Sequence, residues 1–213
     1  GQAAAIRRTA EQAGIAICSL HWLLVKPAGL SITSDDAAVR ARTLDVMRRL
    51  IALCAELDGK VLVHGSPAQR RLPEGNGAAE ARKRGIEAFA AIAEDAQRAG
   101  VTYCIEALAT PDANFVNTVE EAIGIVQQIG NRHVRTMLDC SAGSLMETEP
   151  LAALLDRHLP TGMIAHVQFN DRNRRGPGQG GDLFAPVLAA LKRNKYQGWA
   201  AVEPFDYQPD GPA

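Results

Sequence analysis

The sequence predicts an α/β fold: a TIM (β/α)8-type barrel that is incomplete, with about six strands where a closed barrel has eight. Three observations predict it. Strand-length apolar runs alternate with helical stretches along the whole chain, the pattern of parallel βα units. Four successive runs stop on a group that can bind a metal: Tyr103-Cys104-Ile105-Glu106, Arg135-Thr136-Met137-Leu138-Asp139, Ile164-Ala165-His166-Val167-Gln168 and Ala200-Ala201-Val202-Glu203. The chain also starts inside a helix and stops just after a strand, so the first two strands and the last helix are expected to be lacking. One domain covers 1–213, and an open doubly wound sheet is the alternative.

Each element has its own signals. Residues 1–13 read as the end of a helix stopped by Gly14. Ile15–Leu20 is a short strand running into His21-Trp22. Ser34 is the expected N-cap of the next helix, with Asp35 and Asp36 in its first turn. Val39, Thr43, Val46, Met47, Leu50, Ile51, Cys54 and Leu57 then share one helical face. Lys60–His64 is a strand, and the loop after it holds Arg70-Arg71. Ala78–Ala99 reads as one helix closed by Gly100. Val101–Glu106 is a strand, followed by a loop through Pro111. Thr118 and Glu121 form a capping box for a helix to about Ile129. His133–Asp139 is a strand, and Glu149-Pro150 opens a helix. Met163–Gln168 is a strand. Asp182 is the expected cap of a helix to about Asn194. Trp199–Glu203 is the last strand, before a proline-rich loop.

Composition narrows the function classes. A net charge of −1 gives no basic footprint for nucleic acid. No apolar run reaches the ~18 residues of a membrane span. Residues 1–13 carry Arg7, Arg8 and Glu11 and do not read as a signal peptide. Cys18, Cys54, Cys104 and Cys140 show no Cys-x-x-Cys spacing. Reduced thiols in a cytoplasmic protein are the expectation.

A parallel barrel brings its strand ends to one rim. Three carboxylates and an amide oxygen meeting there would make a hard, oxygen-rich divalent-cation site: Glu106, Asp139, Gln168 and Glu203. A lone strand-end glutamate is most often a cap or a surface charge; four such groups in succession point to a shared site. His166 lies two residues before Gln168 on the same strand face, as a substrate contact, a partner supporting a ligand, or a core histidine. His64 and His21 end strand-like runs and are candidates to line the pocket. Trp22 could stack on the apolar face of a ligand or pack in the core.

Several segments resemble the sugar phosphate isomerase/epimerase superfamily of xylose isomerase-like TIM barrels, above all ketose 3-epimerases and hydroxypyruvate isomerases. They are Ile105-Glu106 with Asn114-Phe115 and Asn117-Thr118, Leu138-Asp139, His166-Val167-Gln168, Asn173-Arg174 with Pro177-Gly178 and Gly180, and Glu203-Pro204-Phe205. The resemblance implies metal ligation by Glu106, Asp139, Gln168 and Glu203. It implies a catalytic pair in Glu106 and Glu203, and a substrate-binding arginine in Arg174. Ketose epimerases usually carry histidine where this chain has Gln168, whereas the hydroxypyruvate isomerase branch has His-Val-Gln. An amide oxygen favours Mn2+ or Mg2+, with Co2+ or Zn2+ as alternatives. Ala142 stands where a substrate-contacting histidine is usual, Ala109-Thr110 where Asn-Arg is frequent, and Asp112 where a longer glutamate is.

The implied activity is a divalent-metal-dependent isomerase or epimerase acting on a small ketose or 2-keto acid through an enediolate. A carboxylate base removes the proton next to the carbonyl and a second acid returns it. A lyase on the same barrel, dehydrating a keto-inositol or dehydroshikimate-type substrate, stays open, as does a non-catalytic sugar-binding barrel. No nucleic-acid or membrane partner is expected, and a homo-oligomer is left open. Arg70, Arg71, Arg172, Arg174 and Arg175 could also supply charge for a phosphorylated sugar.

Overall fold

In the computed structural model, residues 1–110 and 112–206 are described; position 111 and the proline-rich end at 207–213 lie outside them. Six strands form one parallel sheet: β1 (Ser19–Leu20), β2 (Val61–His64), β3 (Thr102–Ile105), β4 (Val134–Asp139), β5 (Ile164–Phe169) and β6 (Ala200–Val202). Each strand pairs with the next in sequence, without a reversal of order. A doubly wound sheet would reverse its order at a switch point. Right-handed crossovers taken always in one direction put the helices on one face and curl the sheet. The result is a partial barrel, and the open-sheet alternative is overturned. At the C-terminal rim its two edges approach one another, His21 Nδ1 lying 2.8 Å from Glu203 Oε1.

Eight α-helices surround the sheet among the described residues: α1 (Gln2–Gln12), α2 (Ala37–Glu56), α3 (Ala78–Ala91), α4 (Ala93–Ala99), α5 (Val119–Ile129), α6 (Cys140–Met146), α7 (Leu151–His158) and α8 (Ala185–Arg193). Helix α2 buries Thr43, Met47, Ile51 and Cys54, the stripe its periodicity predicts. Leu62, Tyr103 and Ile105 join it in the larger apolar core between sheet and helices. A second cluster packs Leu138, Val167 and Phe169 against α7 and α8. Val61, Val63, Cys104 and Met137 form a small core on the inner face, with Ala165 beside it. All four cysteines are free.

Several local expectations are corrected. The first strand is two residues, not Ile15–Leu20. Asp36, not Ser34, caps α2, because its carboxylate reaches the Ala38 and Val39 amides. The stretch Ala78–Ala99 is two helices broken at fully buried Ile92, with φ −105° and ψ 0°. The break lets Phe89 of α3 and Ala96 of α4 both face the core. Half the capping box forms: Thr118 accepts from the Glu121 amide, while the Glu121 carboxylate binds the Val116 and Asn117 amides. Asp182 does not cap α8; it binds the Arg172 amide and guanidinium. Helix α6 has no counterpart in the sequence reading, and it starts directly after Asp139, which caps it.

The pairing of β4 with β5 carries one irregularity that matters for the site. Thr136 pairs with Ile164 but Met137 with His166, leaving Ala165 as an extra residue. Such a bulge switches the alternation of the strand. After it, His166 and Gln168 stand beside the inward-facing Met137 and Asp139, while Val167 and Phe169 enter the helix-side core.

Candidate active site

Glu106 follows β3 and is anchored through its backbone. Its amide donates to His64 O at 3.3 Å, and its carbonyl accepts from Arg70 Nη1 at 2.6 Å. Arg70 is fully buried, and its Nε and Nη2 have no hydrogen-bond partner. The Glu106 carboxyl occupies space that Gly65 leaves vacant, since a Cβ there would overlap Oε2. Burial pushes its pKa well up, Asp139 and Glu203 push it further, and Arg70 opposes them.

Asp139 ends β4 and also caps α6. Its Oδ1 accepts from the Ala142 amide at 2.7 Å and its Oδ2 from Asn170 Nδ2 at 2.7 Å. Asn170 is itself fixed, its Oδ1 accepting from the Ser141 amide at 2.8 Å. Burial raises the Asp139 pKa to about 6, against the pull of these hydrogen bonds. Glu203 follows β6. His21 holds its Oε1, and its buried Oε2 has no partner. That bond raises the His21 pKa, with burial opposing.

These three carboxylates each offer an oxygen within 4.8 Å of the others. Gln168 is the register partner of Asp139, and its buried Oε1 has no hydrogen-bond partner. Buried acceptors are almost always satisfied. Two orphaned oxygens beside crowded carboxylates are the donor set a divalent cation would satisfy, so the residues fit one. His166 is one step further from the rim, both its nitrogens buried without a partner. Burial, with His21 nearby, lowers its pKa to about 4, so it is neutral at pH 7.

A cleft of about 410 Å³ opens over the cluster, lined by Glu106, Asp139, Glu203, Asp112, Arg174 and Trp22 among others. Arg174 pairs with Asp112 at 3.6 Å and lies over the Phe205 ring at 5.1 Å. Trp22 stacks on Phe205 with ring centroids 6.2 Å apart. Trp22 and Arg174 both have positive φ, 52° and 69°, a strained setting for non-glycine residues that is found preferentially at functional sites.

One placement corrects the sequence reading. His64 does not line the cleft: it is fully buried on the helix side, with Nδ1 2.7 Å from Tyr103 Oη and its ring edge-on to Phe89. Burial, then Arg70, lowers its pKa to about 3. The loop arginines are also engaged, Arg172 with Asp182 and Arg175 with Asp206. Residues the sequence reading did not single out for the site are Asn170, Phe205 and Gly65; Arg70, expected to offer charge to a phosphate, is instead a fully buried anchor of the Glu106 carbonyl. Asn170 was legible in principle, two residues beyond Gln168 on the same strand face. Nothing local separates buried Arg70 from exposed Arg71.

The role of Gly65 is testable. In Gly65→Ala the Glu106 carboxylate must move, and it is the free end of a flexible side chain. Stability should change by less than about 1 kcal/mol, while Mn2+ affinity measured by calorimetry should fall about tenfold or more. Unchanged affinity would show that the Glu106 position is not critical.

The architecture and the cluster define a class. The chain matches the xylose isomerase-like TIM barrel family over residues 1–213 and belongs to it. That agrees with the resemblance read from its strand ends. It is similar to the D-psicose 3-epimerase of Agrobacterium fabrum, 29% identical over 210 residues, which cover 95% of this chain and 68% of that protein. It is also similar to the L-ribulose 3-epimerase of Mesorhizobium japonicum, 27% identical over 183 residues, which cover 84% of this chain and 59% of that protein. The crystal structure of a D-psicose 3-epimerase in the presence of D-fructose superposes with a TM-score of 0.82 at 27% identity, covering 97% of this chain and 70% of that one. The chain thus spans 59% and 68% of the lengths of the two relatives. No helix among the described residues is long and apolar enough to cross a membrane.

Proposed function

We propose that this chain is a divalent-cation-dependent epimerase of small ketoses, with Glu106 and Glu203 as its acid–base pair. The observation that carries the reading is the convergence of Glu106, Asp139 and Glu203, with the Gln168 and Glu203 oxygens left without partners. The named relatives, epimerases of D-psicose and L-ribulose, support the ketose class. The free cysteines support a reducing, cytoplasmic setting.

The residues divide the work. Glu106, Asp139, Gln168 and Glu203 would hold the cation, Mn2+ or Mg2+ by the hardness of an all-oxygen donor set, and it would supply positive charge where the substrate oxygens become negative. Glu106 and Glu203 extend β3 and β6, with β4 and β5 between them. They can therefore approach a bound sugar from different sides. One takes the proton from the carbon next to the carbonyl and the other returns a proton on the opposite face, which inverts that carbon. His21 holds Glu203 Oε1 and so fixes this carboxylate beside the other two. Asn170 fixes Asp139, and Arg174, held between Asp112 and Phe205, presents its guanidinium to substrate oxygens.

Two measurements test the reading. Mn2+ should bind the protein at one site by calorimetry, and Asp139→Ala should abolish that binding. During turnover of D-psicose or L-ribulose in deuterated water, deuterium should enter at the carbon being inverted. Equal Mn2+ binding by the Asp139→Ala variant would remove Asp139 from the cation site. Epimerisation without deuterium entry would remove the proton-transfer mechanism.

A further inference from the structure

Arg174 reaches the cleft from a loop after β5 that closes on itself at Asp171. Asp171 is fully buried. Its amide donates to Arg175 O at 2.8 Å, and its carbonyl accepts from the Arg174 amide at 2.8 Å. At the far end of the loop, its Oδ2 accepts from the Asp182 amide at 3.1 Å. Asn173 Nδ2 spans the middle, donating to Gln179 O at 2.9 Å. The Arg174 carbonyl accepts from the Phe205 and Asp206 amides, which ties the loop to the segment after Glu203. Gly180 packs so closely on Asp171 that a Cβ there would overlap all three atoms of the carboxyl group. Only glycine lets the backbone come this near. Asp171 Oδ1 has no hydrogen-bond partner, so steric fit and not a hydrogen bond sets Gly180 there. The neighbouring Gly181 is different: a Cβ there would meet nothing within 4 Å, and its φ is ordinary. Asn170, one residue before Asp171, serves the other end of the site, donating to Asp139 Oδ2 and to Glu203 O.

We infer, on the ketose reading of the cleft, that Asp171 and Gly180 form the pivot that sets Arg174 against the sugar. Both are positioning residues for substrate binding, and neither serves the cation site. The two ends of the loop meet at one buried carboxyl group, so a change there moves the whole loop. Arg174 follows Asp171 by three residues, and its φ of 69° is one that the loop must hold in place. A displacement of about 1 Å at a group that holds substrate can cost up to about 100-fold. The carboxylate cluster is fixed separately, with Asp139 held by Asn170 and the Ala142 amide, and Glu203 by His21.

The test measures D-psicose and L-ribulose kinetics on the Mn2+-loaded protein, with Mn2+ binding by calorimetry alongside. Gly180→Ala should raise KM about tenfold or more while kcat falls less, because substrate binding is what Arg174 supplies. Asp171→Ala removes the acceptor of the Asp182 amide without introducing a clash, and should act in the same way. Mn2+ affinity should stay within about twofold in both variants, since separately held sites couple weakly. Gly181→Ala should leave KM within about twofold of the wild type. In an Arg174→Ala background either pivot change should cost no more than about a further twofold, because residues that act through one another are not additive. If Gly180→Ala does not fold, Asp171→Ala decides on the same readings. An unchanged KM, an equal rise in Gly181→Ala, a full further loss in the Arg174→Ala background, or loss of Mn2+ binding in both pivot variants overturns the inference and leaves the epimerase reading intact. A wild-type protein that neither binds nor turns over the two ketoses defeats the ketose reading alone. The place of Arg174 in crystals of the pivot variant that folds then decides: a guanidinium displaced from the Phe205 ring upholds the pivot, and one that has not moved overturns it.

Discussion

Glu106→Gln and Glu203→Gln are each expected to lower ketose turnover by about 100-fold or more, the scale on which positioned acid–base groups act. Glutamine keeps an oxygen that can ligate a cation but can neither take nor return a proton. Turnover should therefore fall with much smaller changes in KM and in Mn2+ affinity. The two variants should also differ from one another. Starting from one epimer, the variant that keeps the base should still exchange the proton next to the carbonyl with deuterated water while net inversion stops. The variant that lacks the base should do neither. Exchange in both variants, or in neither, would rule out a division of labour between the two glutamates. Their placement explains why neither should replace the other. They extend β3 and β6, and each is held by its own contacts, Glu106 by Arg70 at its carbonyl and Glu203 by His21 at its carboxylate.

The strand ends were readable because a buried parallel strand is an apolar run, and a carboxylate that stops such a run is conspicuous. Period-two alternation also held information the sequence reading left unused. Val61 and Val63 face inward, so His64 must face outward with Leu62, and the inward neighbour of Glu106 is Gly65. The bulge at Ala165 has no such signature, since no glycine or proline marks it, yet it sets the alignment of His166 and Gln168. Helix α6 was hidden for a different reason. Cys140, Ser141, Ala142 and Gly143 are all buried, so the segment shows no amphipathic period, and its cap is the aspartate already read as a ligand. Arg70 shows where local sequence runs out. Its burial depends on two strand-end carbonyls, at His64 and Glu106, that meet only in the folded sheet.

The cation-free protein is expected to lose stability as the pH rises from about 4 to 6, and bound Mn2+ is expected to reverse that trend. Burial raises the Asp139 pKa from 3.8 to about 6. Between those values the folded state keeps a proton that the unfolded chain has released. The folded state thus binds more protons, and stability falls with rising pH, by on the order of 3 kcal/mol from this group once above pH 6. Burial of Glu106 acts in the same direction and carries the loss to higher pH. So does His21, whose pKa is raised by Glu203 and whose stabilising charge is lost as the pH rises through it. A cation takes the place of those protons. At a concentration one hundred times its Kd it should stabilise the fold by about 2.7 kcal/mol, and more as competing protons leave. Urea unfolding midpoints from pH 4.5 to 8, with EDTA or with MnCl2, would measure both slopes. Asp139→Asn is the informative variant, because asparagine can still cap α6 while it carries no charge. It should flatten the EDTA curve and lose most of the gain from Mn2+. A wild-type midpoint that climbs with pH in EDTA would show that the carboxylates are not held against their own repulsion. An Asn variant that gains as much from Mn2+ as the wild type would show that the cation does not sit at Asp139.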